Sequence, residues 1–188
     1  MTTTRDIRSA GEIGTASEIG SARDIRTAWD LAASVVDPEI PVLTIEDLGV
    51  LRAVEEVDGR VRVTLTPTYS GCPAMDAIRD DVVGILRAGG FLDVEVRLVL
   101  APAWTTDWMS EVGKQKLREY GIAAPSGHAA ALGRSARPAG PVRVALAVKC
   151  PHCNSLHTSE LARFGSTSCK ALYECLDCLE PFDYFKVL

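Results

Sequence analysis

TPTYSGCPAMDAIRDD, residues 66–81, changes character at a single cysteine. The chain before it is rich in β-branched residues, and the chain after it has helical spacing. Cys72 lies between Gly71 and Pro73. Proline fits the first turn of a helix, where its missing N–H has no partner to lose. The spacing therefore predicts a helix from Ala74 to Arg87, with Cys72 as its N-cap. A helix N-terminus carries unsatisfied N–H groups and a partial positive charge. That setting is expected to lower the Cys72 pKa and favour the thiolate. Such a thiol suits a nucleophile or a soft-metal ligand. A buried, inert cysteine filling a corner fits the same flanks.

Working outward, VLRAVEEVDGRVRVTLTPT reads as a hairpin, since Asp58-Gly59 is a strong two-residue turn signal. In the helix, Ala77, Ile78, Val82, Ile85 and Leu86 supply the apolar face, and Gly89-Gly90 ends it. FLDVEVRLVL alternates and reads as a strand. APAWTTDWMSEVGKQKLREYGI reads as a turn and then a helix capped at Thr105 or Thr106. Upstream, Ile25, Trp29, Leu31, Ala32 and Val35 follow helical spacing from about Arg23, and Asp37-Pro38 stops them. PEIPVLTIEDLGVL is then a loop leading into an extended stretch. The order is helix, hairpin, helix, strand, helix. This is an α+β domain of two layers, helices on one sheet, expected over residues 23–121.

Two segments flank it. RDIRSA, GEIGTA, SEIGSA and RDIRTA repeat one hexad, which is too short for a β-solenoid and is thinned by glycine. Residues 1–22 are read as a disordered tail, which a misplaced start codon would also produce. Residues 122–141, rich in Gly, Ala, Pro and Ser, read as a linker. A second, all-β unit is expected over residues 142–188, opening with the strand VRVALAVKC.

The chain has 188 residues, 47% of them hydrophobic and 24% charged, enough for one ordinary domain and a small second one. No apolar run reaches the ~18 residues of a membrane span. The polar start, MTTTRDIRSAGEIGTA, has no signal-peptide core, so a cytoplasmic protein is expected. A net charge of −5 gives no reason to expect a nucleic-acid partner. In a reducing compartment, six cysteines are expected to be thiols or metal ligands.

Four of them form Cys150-Pro-His-Cys153 and Cys175-Leu-Asp-Cys178. Two such pairs on tight turns supply the four corners of a tetrahedron, the signature of a structural zinc ribbon. An iron–sulfur cluster on the same thiolates is the rival reading. Asn154 follows the first pair where a positive φ is useful. Metal binding is expected to supply about 10 kcal/mol of folding energy to a unit too small for a strong core. His152 and His157 are expected at the surface or behind the ligands. Cys169 is expected beside the second pair, as a small buried residue or a transient metal ligand.

The main domain up to Gly121 holds no histidine; the three are His128, His152 and His157. That argues against a Cys–His nucleophilic pair. There is no phosphate-binding loop or dinucleotide glycine motif. Asp37, Glu39 and Asp47 lie in the loop before the hairpin. Packed beside Cys72 they would form a sulfur and oxygen ligand set open to iron; otherwise they are solvated acids or caps.

DPEIPVLTIEDLG, LTPTYSGCPA and PAWTTDWMS resemble the small domain of cytosolic and bacterial iron–sulfur assembly factors. CPHCNS through FGSTSCKALYECLDCLEPFDYFK resembles the ribbon of the PaaD-type family of bacterial phenylacetyl-CoA epoxidase systems. The resemblance covers roughly Arg23 to Leu188. It implies that Cys72 is the family's reactive cysteine and that Asp37, Glu39 and Asp47 are its acidic positions. It further implies an accessory protein of phenylacetate catabolism without turnover of its own. Such a protein would bind zinc structurally and iron or an iron–sulfur cluster transiently. Its partners would be the di-iron oxygenase or the flavin and [2Fe–2S] reductase. A role as a docking subunit of the oxygenase is the alternative, and a homodimer is compatible with either.

Overall fold

The computed structural model describes residues 17–126 and 148–188. The main domain runs α1 (Ser17–Ala33), β1 (Leu51–Val57), β2 (Arg60–Leu65), α2 (Ala74–Ala88), β3 (Val94–Leu98) and α3 (Glu111–Glu119). The second unit is β4 (Thr158–Ala162), β5 (Lys170–Cys175) and β6 (Pro181–Phe185). This is the expected α+β domain followed by a β ribbon.

The hairpin forms where the sequence placed it. Asp58 and Gly59 take φ values of 53° and 76°, the pair of positive angles a two-residue turn needs. β1 runs antiparallel to β2, and β3 lies parallel on the other side of β2. A parallel neighbour requires a crossover, and α2 provides it. That crossover fixes where Cys72 lies, at the exit of β2 before the helix. Val63, Leu65, Ile78, Val82 and Leu86 are fully or almost fully buried between sheet and helix. Each contributes about 1.5–3 kcal/mol by leaving water. Ala77, expected on the apolar face, is exposed.

Three boundaries differ from expectation. α1 begins at Ser17 rather than near Arg23, so it takes in the third and fourth hexads of the repeat. The first hexads lie outside the described residues. Thr105 caps only a single turn, Thr106–Trp108, while α3 is capped by Ser110, whose hydroxyl accepts the Gly113 N–H. The expected strand VRVALAVKC lies mostly outside the described residues, and residues 148–150 are not strand.

The ribbon is docked on the main domain. Phe185 and Cys169 belong to the main domain's core cluster, and the Phe185 ring lies 6.1 Å from that of Trp104. Ala123, expected to be linker, is bound to β6: its N–H donates to Asp183 (2.8 Å) and its carbonyl accepts from Phe185 (2.9 Å). The Thr106 N–H donates to the carbonyl of Leu188 at 3.3 Å. Burial of an aromatic ring and a run of backbone bonds thus hold the two units together. Within the main domain, Gly49 packs closely on Trp108. Its φ is +67°, and a Cβ there would stand 2.5 Å from the Trp108 carbonyl.

Candidate functional site

The cysteines divide between two places. The first is the ribbon's pair of knuckles, and the two turns repeat one geometry. In the first, the Cys150 carbonyl accepts the Asn154 N–H (3.0 Å), the Cys150 N–H donates to Ser155, and Asn154 has φ 65°. In the second, the Cys175 carbonyl accepts the Leu179 N–H (2.9 Å), the Cys175 N–H donates to Glu180, and Leu179 has φ 63°. Asparagine tolerates that conformation; leucine adopts it at a cost, which the surrounding bonds must offset. Nothing in the sequence marked Leu179.

Asp177, inside the second knuckle, accepts the Ser155 hydroxyl and stands 3.0 Å from His157 Nδ1, tying the knuckles together. His157 therefore supports the ligands rather than replacing one. The Sγ atoms of Cys150, Cys153, Cys175 and Cys178 all lie within 4.8 Å of one another. Cys150 and Cys178 are 3.8 Å apart, Cys153 and Cys175 3.5 Å. A tetrahedral site with Zn–S bonds of about 2.3 Å has edges of about 3.8 Å. The four sulfurs fit such an ion. N–H groups of Cys178 and Asp177 pull the Cys175 thiol down to about 7. Cys153 accepts the Ser155 N–H but is pushed up to about 12 by its sulfur neighbours, Cys175 first.

The second place is the start of α2. Pro73, not Cys72, is the residue bounding the helix. The Cys72 thiol still accepts the Ala74 N–H. The expected lowering of its pKa does not hold. Burial pushes the thiol up and outweighs the Ala74 bond, and Glu39, Asp37 and Cys169 push it further the same way. The thiol is half-buried on an open cavity of about 390 Å³, whose lining includes Pro67, Ser70, Met75, Asp76, Leu98 and Leu100.

The acidic loop separates into two parts. Asp37 and Glu39 act on Cys72 through their charge. Asp37 is buried, its Oδ1 accepting the N–H groups of Glu39 and Ile40 at 2.8 Å each. Burial nonetheless pushes its carboxyl up; burial and the charge of Asp37 do the same to Glu39. Asp47 is not a partner of Cys72. It accepts from Lys116 Nζ (2.6 Å), Ser110 Oγ (3.0 Å) and the Thr44 N–H (3.2 Å), fastening α3 to the loop. Burial raises its carboxyl, but these donors outweigh that and hold it below the usual range.

Cys169 is a small buried residue, one of its two expected roles, and is not among the four clustered sulfurs of the knuckles. It packs in the main domain's core cluster, its Sγ 3.0 Å from Thr167 Oγ1. Burial pushes its thiol up, and it feels the charges of Glu39 and Asp37. Three neighbours were not anticipated. The Tyr69 hydroxyl hydrogen-bonds Ser168. Lys170, also buried, pairs with Asp183 at 3.2 Å while acting electrostatically on Asp37 and Glu39. Each sits one or a few residues from Cys72 or Cys169, but only tertiary contact brings the two strings together.

Residues 26–98 match the family described as iron-sulfur cluster assembly protein, and residues 135–186 match the PaaD zinc beta ribbon domain. A protein of Escherichia coli K12, provisionally named as the D component of 1,2-phenylacetyl-CoA epoxidase, is 46% identical over 160 residues, covering 85% of this chain and 91% of that protein. An Fe-S protein maturation auxiliary factor of Porphyromonas gingivalis is 42% identical over 80 residues, 42% of this chain and 75% of its own. The corresponding factor YitW of Bacillus subtilis is 40% identical over 83 residues, 43% of this chain and 80% of its own. An assembly-type domain that carries a docked four-cysteine ribbon, and that aligns along most of its length with the Escherichia coli epoxidase component, places this chain in the PaaD family of phenylacetyl-CoA epoxidase systems.

Proposed function

We propose that the protein is an accessory maturation factor of a phenylacetyl-CoA epoxidase system. It assists iron or iron–sulfur cluster assembly in the oxygenase or its reductase, and Cys72 is the thiol through which the cargo passes. The supporting observation is the setting of Cys72: a half-buried thiol on an open cavity that Asp76 also lines, under the charge of Glu39 and Asp37, in a domain without histidine. A turnover site needs an acid–base pair near its operating pH or a cofactor cradle. A transfer ligand needs a soft donor that a partner can reach, and ligand exchange at sulfur requires no change of oxidation state. The ribbon's four thiolates hold zinc in a closed, structural site. The work takes place in the cytoplasm.

A second reading, in which the protein docks on the oxygenase as a structural component, draws support from the ribbon's surface, where Leu156, Phe164 and Leu179 are exposed. The two readings differ at Cys72. Cells carrying Cys72→Ser are expected to lose growth on phenylacetate, with oxygenase or reductase short of iron, while the variant folds and keeps its zinc. Chemical reconstitution of those partners with iron and sulfide should then restore their activity. Fully metallated partners from the variant cells would favour docking. A purified reaction whose rate rises in proportion to added wild-type protein would indicate a direct part in turnover.

A further inference from the structure

We infer that β3 is a self-pairing edge: two copies of this chain join antiparallel along their β3 strands, about a two-fold axis at Val96, and each lends Leu92 and Val94 to the wall of the other's cavity at Cys72. The inference does not depend on the cargo role proposed for that thiol. It adds a partner to the place where the thiol sits.

The sheet order β1-β2-β3 leaves the outer edge of β3 without a partner among the described residues. An open edge is a row of unused N–H and carbonyl groups, which proteins blunt with charge, bulges or a covering segment. The far edge, β1, is blunted: its register shifts between Leu51 and Ala53, and it carries the exposed Glu55 and Glu56. β3 has no bulge, and its two charges, Glu95 and Arg97, are opposite in sign. The Asp93 carbonyl accepts the Val61 N–H (3.0 Å), and the Val99 N–H donates to Leu65 (2.9 Å), so the odd-numbered residues spend their backbone groups on β2. By alternation, Val94, Val96 and Leu98 turn theirs outward.

Residues 92–100, LDVEVRLVL, are self-complementary about their centre. Run antiparallel against itself at Val96, the stretch sets Leu92 opposite Leu100, Val94 opposite Leu98 and Glu95 opposite Arg97. Opposite residues share a face, and the pairs with outward backbone groups exchange both of their bonds. Val94 and Val96 align with the buried Val61 and Val63 and pack on the core, yet are only partly buried. The leucines are left in water: Leu92 is 82% exposed, Leu100 57% and Leu98 46%. On the other face, Glu95 accepts from Arg97 (2.7 Å) and Arg62 (3.1 Å) of its own chain. The second copy brings a further Arg97 to each Glu95 and carries the alternation of charge across the seam. Asp93, which meets Val99, is already bonded to Arg60 at 3.0 Å. An unrelated strand would use the backbone groups alone; a second β3 also sets the charges and leucines in register, as a two-fold interface requires.

The edge borders the site. Leu98 and Leu100 line the cavity that holds Cys72 and Asp76. Pairing lays Val94 and Leu92 of the second copy against those two leucines, so each cavity is walled in part by the other chain. The two cavities then stand at opposite ends of the seam, on one face of a continuous sheet.

The test uses the full-length protein, reduced and with zinc in the ribbon. Sedimentation should show twice the chain mass, falling to one chain on dilution. Residue-resolved amide exchange should find Val94, Val96 and Leu98 protected in the dimer. Neither measurement needs a variant. Charge reads the register. Glu95→Arg sets like charges together on both sides of the axis, and so does Arg97→Glu; each should raise the dimer's dissociation constant about tenfold. Mixed in equal amounts, the two variants should pair with each other as tightly as wild type, because each charge then meets its opposite. A mass of one chain at every concentration, a dimer in which those three amides exchange freely, or a mixture no tighter than its components overturns the inference.

Discussion

The knuckles and the other two cysteines are opposite solutions to placing sulfur. In the knuckles, local backbone bonds fix the sulfurs: each turn closes on itself within five residues, and Asp177 joins the two. The four sulfurs lie within 4.8 Å of one another, the spacing of a tetrahedral thiolate site. Cys72 and Cys169 belong to two units, and only tertiary packing brings both onto the same core. The difference teaches that local backbone bonds can gather four sulfurs at metal spacing, whereas thiols placed by packing are set by burial, one half-buried and one fully buried.

The largest effect should come from breaking the knuckle site. Cys175→Ser, or the same change at Cys150, Cys153 or Cys178, is expected to release the metal and its folding energy, about 10 kcal/mol. Zinc analysis and the amide dispersion of β4–β6 would report it. The comparison adds a sharper expectation: Cys169, buried in wild type, should become alkylatable when the ribbon melts, although it is not a ligand. A protein that keeps its fold and stoichiometric zinc after all four replacements would refute the cage. Cys169→Ser that loses zinc would mean the cage uses a different set of four.

How much of this the sequence disclosed follows the same divide. The two C-x-x-C pairs, the Asp58-Gly59 turn and the positive φ of Asn154 are consequences of neighbours along the chain, and all are read directly. Cys169 was legible as a small buried residue, but not as part of the main domain's core, because that depends on how a separate unit docks. Cys72 was legible as a thiol before a helix, since a helix terminus is local. The direction of its titration was not, because burial and the acids beside it are tertiary and outweigh the N–H of Ala74. Asp47 looked like its loop neighbours Asp37 and Glu39; Lys116 and Ser110, some seventy residues on, decide its role. Ser110 as the cap of α3 was missed because Thr105 carries the same signal five residues earlier and spends it on a single turn.

The next effect in size tests docking itself. Phe185 is 1% exposed, lies in the main core and faces Trp104. Phe185→Ala should cost about 3–5 kcal/mol in chemical denaturation. Zinc should be retained, because the knuckles do not use this ring. Phe182, buried in the ribbon's own cluster, is the matched control: Phe182→Ala should weaken the ribbon and its metal more than the contact between units. Equal zinc loss in both variants would show that the two regions are one cooperative unit.

A smaller loss is expected at Asp47. Asp47→Ala removes an acceptor serving Lys116, Ser110 and the Thr44 N–H, at a cost of about 1–3 kcal/mol. The sign with pH is fixed by the lowered carboxyl. A group with a folded-state pKa below its unfolded value stabilises the protein above the unfolded pKa, and that contribution fades as pH falls through the folded one. Wild type should therefore lose its advantage over Asp47→Ala in acid. A difference between the two melting temperatures that stays constant from neutral pH down through the carboxylate range would place the effect in packing instead.

The smallest effect probes the setting of Cys72 without dismantling it. Burial and the neighbouring acids push the Cys72 thiol up, so at pH 7 it should react with iodoacetamide more slowly than a free model thiol, and its rate should keep rising into the alkaline range. Glu39→Gln removes one of the charges opposing the thiolate and leaves the fold intact, since Glu39 is bonded there through its backbone N–H. A single charge seen through a water-like dielectric contributes roughly 0.5 kcal/mol, so the variant should react about two- to threefold faster. Raising the salt should shrink that gap, because a partly exposed pair is screened. The knuckle thiols, held by their metal, should not respond to Glu39→Gln at all, so peptide-level alkylation in one sample compares the two regions directly. A Cys72 faster than a free thiol at neutral pH would mean that the helix terminus outweighs burial. An unchanged rate in Glu39→Gln would mean that the carboxylate lies too far from the sulfur to oppose its thiolate.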